Sequence, residues 1–423
     1  MLKKTTRLCN LYQSTTHHLP TPLAPFTMAI DALTPPLQRL RKHRQTIPAV
    51  WMRAGTSKGL FLHQCDLPAK REQWATVILA AMGSQDGDPK HLNGVAGATS
   101  TTSKVAVIKP SSRPDIDVEY TFVQVSIGCP KLDFTGNCGN IASGVGPFAV
   151  DEGLLKVQPG QRRIDVRILN TNTGRTIVES LDLDEDGHFL EDGDYRLAGT
   201  KSSGSSIGVS FEKPAGAMTG KLLPTGKPVD TLEVPSTITR PSCEVQASLV
   251  DVANPFVLVD AASVPDYVSS AGISSDYYLD FLEPFAVKTR GTPKVALLSM
   301  PKVPQGAFDE LPDVQVAALS MGKPHGSLQL TGAVCLATAI CTEGTIANKI
   351  ALQAEQWRTA HSGPGLPRQD SFTTLPEQSR KVLIKHSGGT IGADVLRSDE
   401  EVRSVKLLRT ARRLFEGKVC FLS

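Results

Sequence analysis

Apolar positions in this chain fall into short runs broken by Gly, Ser and Thr, not into long helical stripes. Lys104–Ile108 and Arg163–Leu169 are examples of such runs, and their β-branched content predicts strands. Asn140–Val150 and Gly332–Ile340 differ: they are continuous, small-residue and mostly apolar, which predicts buried helices. Leu352–Pro376 is polar, with few apolar residues at helical spacing after Trp357, and reads as a surface excursion. This globular texture starts at Ile47.

The same pattern occurs twice. Val50–Leu62 is a strand, a polar turn and a second strand, and Val250–Val259 repeats that plan. Thr102-Ser-Lys-Val-Ala-Val-Ile108 is echoed by Thr292-Pro-Lys-Val-Ala-Leu-Leu298. The helix after Gly136-Asn-Cys138 is matched by one after Thr331-Gly-Ala333, and Val166–Ile177 by Val382–Ile391. Matches in the same order predict duplicated lobes facing each other across a cleft. Helix N-termini aimed into that cleft would offer unpaired N–H groups to anions.

Composition narrows the function. The 423 residues exceed what one core usually serves, and 40% of them are hydrophobic, enough for two cores. A net charge of +3 gives no basic field for nucleic acid. The longest mostly apolar run, Ala333–Ile340, is far short of the roughly 20 residues of a membrane helix. Nucleic-acid and membrane partners are therefore not expected. Eight dispersed cysteines show no zinc-knuckle spacing, the histidines no HExxH, and no metal is expected. Asp182-x-Asp184-x-Asp186-Gly187 starts like a calcium loop, but its twelfth position is Gly193 where a glutamate is needed, so an acidic hairpin turn is expected. Met1–Ile30 has no acidic residue and several basic ones, while Pro20, Pro22, Pro25, Pro35 and Pro36 oppose a long helix. This extension fits a mitochondrial presequence or a disordered arm equally well.

Candidate chemistry lies in four glycine-punctuated segments. Cys138, in Gly136-Asn-Cys-Gly-Asn140, stands before a helix, where the dipole favours a thiolate and the glycines admit a substrate. Lys104 ends Gly97-Ala-Thr-Ser-Thr-Thr-Ser-Lys104, five hydroxyl residues leading into a strand. The hydroxyls can hold carboxylate oxygens, and the lysine can act as a base if burial favours its neutral form. Met52–Gly59 and Met321–Ser327 add Arg53, Lys323 and His325 as candidate carboxylate clamps.

With Asn170-Thr-Asn-Thr-Gly174 and Thr219-Gly-Lys-Leu-Leu-Pro-Thr-Gly226 added, these segments resemble the PrpF-type isomerases, from about Ile47 to the C-terminus. The resemblance implies an α/β (α+β) fold like that of diaminopimelate epimerase: two pseudo-symmetric lobes, each with strands wrapped around a central helix, and the active site between them. The expected division is a flexible extension over 1–45, a first lobe over 46–215 plus 410–423, and a second over 216–409. The implied activity is a cofactor-independent shift of the allylic double bond in a small unsaturated tricarboxylate, cis-aconitate foremost, with 2-methylaconitate and oxalomesaconate as alternatives. A non-catalytic acid-binding accessory protein is the alternative of another class. The resemblance places the general base on Lys104 and the active-site thiol on Cys138. The candidate substrate-binding set is Arg53, Thr56, Ser57, Asn93, Ser100, Thr101, Ser103, Asn137, Gly139, Asn140, Met321, Lys323, His325, Ser327, Thr331 and Gly332. A homodimer is compatible with it, and the cytoplasm is the expected compartment, with mitochondria as the alternative. Two-thiol racemases of this fold need a second cysteine at the other helix start; Thr331-Gly-Ala333 stands there, and Cys335 lies further into the helix.

Overall fold

The structure, a computed structural model, describes residues 42–236, 241–270, 292–302, 311–320, 323–361, 377–398 and 401–422. Most of the N-terminal extension lies outside them. The first strand nevertheless begins at Arg44, just inside the stretch read as extension.

Leaving two-residue pairings aside, the first half of the sheet uses β1 (Arg44–Ala54), β2 (Ser57–His63), β3 (Lys104–Pro110), β4 (Val118–Val125), β5 (Arg163–Asn170), β6 (Arg175–Asp182) and β7 (Ile207–Glu212). Neighbours pair in the order antiparallel, parallel, antiparallel, parallel, antiparallel, antiparallel. A short strand, β8 (Asp230–Val234), follows. The second half uses β9 (Cys243–Val252), β10 (Asn254–Asp260), β11 (Lys294–Ser299), β12 (Val314–Ser320), β13 (Glu377–His386), β14 (Gly389–Ser398) and β15 (Glu401–Arg409). Its pairings repeat the same six-step order. The duplication read from sequence is thus present in the hydrogen-bond pattern.

The halves are not separate sheets. β7 pairs antiparallel with β15 from Ile207↔Arg409 to Glu212↔Ser404, so a single ladder runs through both. Two strands are exchanged as well. The C-terminal β16 (Ala411–Leu422) pairs with β1, and β8 pairs with β9.

Helix α1 (Trp74–Met82) covers the outer face of the first half, while α2 (Gly139–Ala142) and α3 (Val145–Asp151) lie on its inner face. In β3, Val105 and Val107 pack with α1, whereas Ala106 and Ile108 pack with α2 and α3. Period-two alternation then puts Lys104 on the inner face. α4 (Leu330–Ile340) is the inner helix of the second half, buried along its whole length. Both inner helices share one apolar cluster.

Two elements depart from the sequence reading. The helix expected over Asn140–Val150 is broken at Ser143 and Gly144. Pro147 has no N–H for the Ser143 carbonyl, and Gly146 N donates to Glu179 Oε2 (2.8 Å) instead of continuing the helix. The excursion expected from Leu352 is helical as far as His361, in α5 (Ile346–His361); 362–376 lie outside the described residues. Its buried stripe is Ile346, Ala347, Ile350, Ala351 and Ala354, most of which precedes Leu352. The acidic Asp182–Gly187 segment is a hairpin turn, with Asp184 Oδ1 accepting from the N–H groups of Asp186 and His188.

Candidate active site

The starts of α2 and α4 meet at the centre of the molecule. A Cβ on Gly139 would lie 2.9 Å from Leu330 Cβ, so only glycine permits this approach. Cys138 is the N-cap of α2, in extended conformation, and its side chain makes no capping hydrogen bond. The N-cap of α4 is Gln329. Cap for cap, Gln329 and not Thr331 is therefore the counterpart of Cys138. Cys335 is fully buried, its Sγ 3.9 Å from the Val250 carbonyl oxygen, and burial drives its thiol pKa far up. The second thiol of a racemase is absent from this position.

Residues from both halves hold the Cys138 segment. Asn254, the first residue of β10, accepts from Asn137 N (3.0 Å) and donates to Asn137 O (2.7 Å) and Thr331 Oγ1 (3.1 Å). Asn170 Nδ2 donates to Asn137 Oδ1 (3.2 Å), which gives the Asn170–Gly174 motif its role. Asn140 Nδ2 donates to Thr56 Oγ1 (3.0 Å), which in turn is 3.1 Å from Ser327 Oγ. Gly55 turns beneath Asn140 with φ +54°, and a Cβ there would meet Asn140 Oδ1 at 2.4 Å.

Around these caps lies an open cleft with about 580 Å³ of empty space, counted out to bulk solvent. It collects Lys104, Cys138, Ser57, Ser100, Asn137, Gly139, Asn140, His325 and Thr331 from the sequence-derived set. Lys104 Nζ is buried, donates to Gln124 Oε1 (2.8 Å) and sits 5.0 Å from the Phe122 ring centroid. Gln124 is fixed by its own Nε2, which donates to Ser103 O (2.8 Å). His325 is pushed down to about 4 by burial, helped by the charges of Lys294 and Lys104, so its ring is neutral at physiological pH. It cannot be the cationic clamp expected from sequence, but it can exchange hydrogen bonds with a substrate.

Other members of that set do not line the cleft. Arg53 turns away: its Nη1 donates to Gly55 O (3.0 Å), Thr410 O (2.9 Å) and Thr410 Oγ1 (3.0 Å), tying the β1–β2 turn to the C-terminal segment. Thr56 and Ser327 bridge the halves behind Asn140. Ser103 Oγ faces His91 Nδ1 (3.4 Å), and Thr101 Oγ1 faces Thr99 Oγ1 (3.1 Å). Asn93 is exposed, and Gly332 is packed inside α4 beside Phe256 and Leu328. Met321 and the side chain of Lys323 lie outside the described residues.

Gly136, from the Cys138 motif, also lines the cleft, and Phe122, Gln124, Asp133, Lys294, Gln329 and Leu330, which were not singled out from sequence, complete the lining. Lys294 had a usable signal, because the repeat aligns it with Lys104. Burial lowers its pKa to about 8, with the Lys104 charge contributing.

A cleft between two half-sheets that carries a buried lysine, a helix-cap cysteine and several hydroxyls can hold a small acid and move a proton on it, which is the equipment of an isomerase. Known proteins place it further. The model of the PrpF protein family matches residues 44–274 and 278–367, and the chain belongs to that family. It is similar to the 3-methylitaconate isomerase of Eubacterium barkeri, 36% identical over 400 residues that cover 88% of this chain and 96% of that protein. It is also similar to the 4-oxalomesaconate tautomerase of Pseudomonas putida, 33% identical over 388 residues with 88% and 96% covered. Among solved structures, that of methylitaconate-delta-isomerase matches with a TM-score of 0.65 and 33% identity, covering 89% of this chain and 96% of the other.

Proposed function

We propose that this protein moves the allylic double bond of a small unsaturated tricarboxylate, converting cis-aconitate to trans-aconitate without a cofactor. The observation that carries the reading is the convergence of Lys104 and Cys138 on one cleft with Ser57, Ser100 and Thr331. Lys104 in its neutral form takes a proton from the methylene that lies between a carboxylate and the double bond. The dienolate spreads its charge onto carboxylate oxygens, where hydroxyls and cationic groups of the cleft stabilise it. Reprotonation at the other end of the allyl unit completes the shift. Cys138 lies beside the reacting carbons, to line the site or relay a proton. Asn137 and Asn140 hold that segment, and Gly139 admits the close approach.

Aconitate is preferred because it is the unsaturated tricarboxylate to which the family resemblance of the sequence points foremost. The relatives that act on methylitaconate and oxalomesaconate support a second substrate choice within the same chemistry. A pure binding protein would have no use for a buried amine beside a thiol. The cytoplasm is the proposed compartment, checked by imaging a C-terminal fusion. The deciding experiment is proton NMR of the purified protein with cis-aconitate, 2-methylaconitate, 3-methylitaconate and oxalomesaconate in D2O. Fast formation of trans-aconitate supports the reading; preference for another acid moves it to that substrate, and inertness toward all four overturns it.

A further inference from the structure

Each half of the sheet places a lysine at the same station. Lys104 opens β3 and Lys294 opens β11, and each of these strands runs parallel to the second strand of its own half. The residues two and four further on, Ala106 and Ile108 or Ala296 and Leu298, all enter the shared inner core. Period-two geometry therefore turns both amines toward the same space, and both line the cleft. Their settings differ. Lys104 is hydrogen-bonded to the fixed amide of Gln124, whereas Lys294 Nζ has Thr331 Oγ1 at 3.4 Å and the Phe256 ring centroid at 5.7 Å. Cys138, Lys104 and Cys335 act electrostatically on Lys294, and Asp133 lines the same cleft.

We propose that Lys294 is the second proton-transfer residue of the cleft, returning a proton to the far end of the allyl unit after Lys104 has removed one from the near end. The inference rests on the isomerase reading above. In the first step the Lys104 amine takes the methylene proton, and the C–H electron pair becomes the dienolate. In the second, the Lys294 ammonium gives up a proton, a new C–H bond forms from the dienolate pair, and Lys294 is left as an amine. Nothing is oxidised or reduced. Exchange with water then returns Lys104 to the amine and Lys294 to the ammonium, and the reverse reaction uses them in exchanged roles. A pKa of about 8, set mainly by burial, suits a proton donor, because the ammonium is populated at neutral pH yet is a stronger acid than a solvated lysine. A lysine that served only as a fixed charge for a carboxylate would be replaceable by arginine, and that difference is measurable.

Full-length wild type, Lys294→Arg and Lys294→Met are compared on cis-aconitate in D2O by proton NMR, with melting curves to check folding. Lys294→Met should still exchange the methylene proton of recovered substrate for deuterium while product formation falls about 10²–10⁴-fold. Lys294→Arg should keep KM close to wild type without regaining kcat, since guanidinium does not release its proton. Lys294→Arg with wild-type kcat would overturn the proposal in favour of a charge anchor. So would a folded Lys294→Met that loses exchange and turnover together, or one that changes only KM. If Lys294→Met does not fold, the arginine variant decides alone. A wild type that leaves every acid of the panel unchanged would overturn the isomerase reading and this inference with it.

Discussion

Lys104 and Cys138 stand in one cleft but should respond differently to substitution. Lys104→Ala removes the proposed base, and kcat should drop at least about 10²–10⁴-fold; Lys104→Arg should not restore it. Cys138→Ser keeps a small polar group at the cap and should lose less. A Lys104→Ala enzyme that turns over and exchanges deuterium normally would transfer the role of base to Cys138. These two residues could be found from sequence because each stands out locally, one beside a run of hydroxyls and the other between glycines. Lys294 could not be found that way: its copy of the repeat reads Thr292-Pro-Lys294 and has lost the hydroxyl run. Arg53 misleads for the opposite reason. An arginine in a glycine-rich turn looks like an anion clamp, but its acceptor on Thr410 is 357 positions away and invisible to local pattern. Histidines give a further test. Burial pushes His325 and His386 down to about 4, whereas an unfolded histidine titrates near 6.5. The unfolded chain thus binds more protons between those values, so this stability is complete above about 6.5 and is lost as pH falls toward 4. Glu179, buried and raised, works in the other direction, so the comparison needs a variant. His386→Gln should lose less stability than wild type between pH 7 and 4.5, read as urea midpoints. Equal losses would show that His386 protonates without unfolding.

Strands were easier to read than helices, because some alternate and others are short β-branched runs between turn residues, whereas the inner helices are apolar all round. β6 shows the alternation plainly, with Ile177, Glu179 and Leu181 buried and their neighbours half exposed. In the stretch before Val150, composition announces burial but not continuity, and the break at Ser143–Gly144 depends on tertiary partners. Pro147 was a visible warning; the acceptor Glu179 on a distant strand was not. The bend also needs room. A Cβ on Gly144 would lie 2.8 Å from Phe61 Cζ and 3.0 Å from Ala54 Cβ, while its φ of −104° suits any residue. Gly144→Ala should therefore destabilise by about 1–3 kcal/mol through overpacking alone. Chemical denaturation of Gly144→Ala, with and without Phe61→Leu, separates the two causes. Partial recovery in the double variant supports the clash, and wild-type stability in the single variant excludes it.

The duplicated plan could be inferred from four local matches in register, yet the way the copies join could not. Nothing in the repeat indicates that β7 and β15 pair edge to edge, because that contact joins the ends of the two copies and has no counterpart within either. The exchanged strands each follow one copy in sequence and pair with the other in space; the repeat indicates neither, and the expected place of 410–423 in the first lobe came from the family resemblance alone. β16 matters most for stability. It covers β1 from Arg44↔Leu422 to Ala54↔Ala411, and Val419 and Phe421 pack with Ile47, Ala49, Trp51 and α1. Burial of a side chain such as valine or phenylalanine contributes about 1.5–3 kcal/mol, against a total stability of about 5–15 kcal/mol for a typical domain. Ending the chain at Thr410 would remove both residues, strip the ladder partner from β1 and expose an apolar strand edge. The truncated protein should be insoluble or lack near-ultraviolet circular dichroism, and adding a peptide of residues 411–422 should restore part of the signal. Leu414→Lys and Phe415→Lys make the control, because both side chains are exposed and should tolerate charge with little change in melting temperature. If the truncated chain melts like wild type, β1 is stable as a free edge, and the exchanged strand is not what holds the C-terminal end of the chain to the first half.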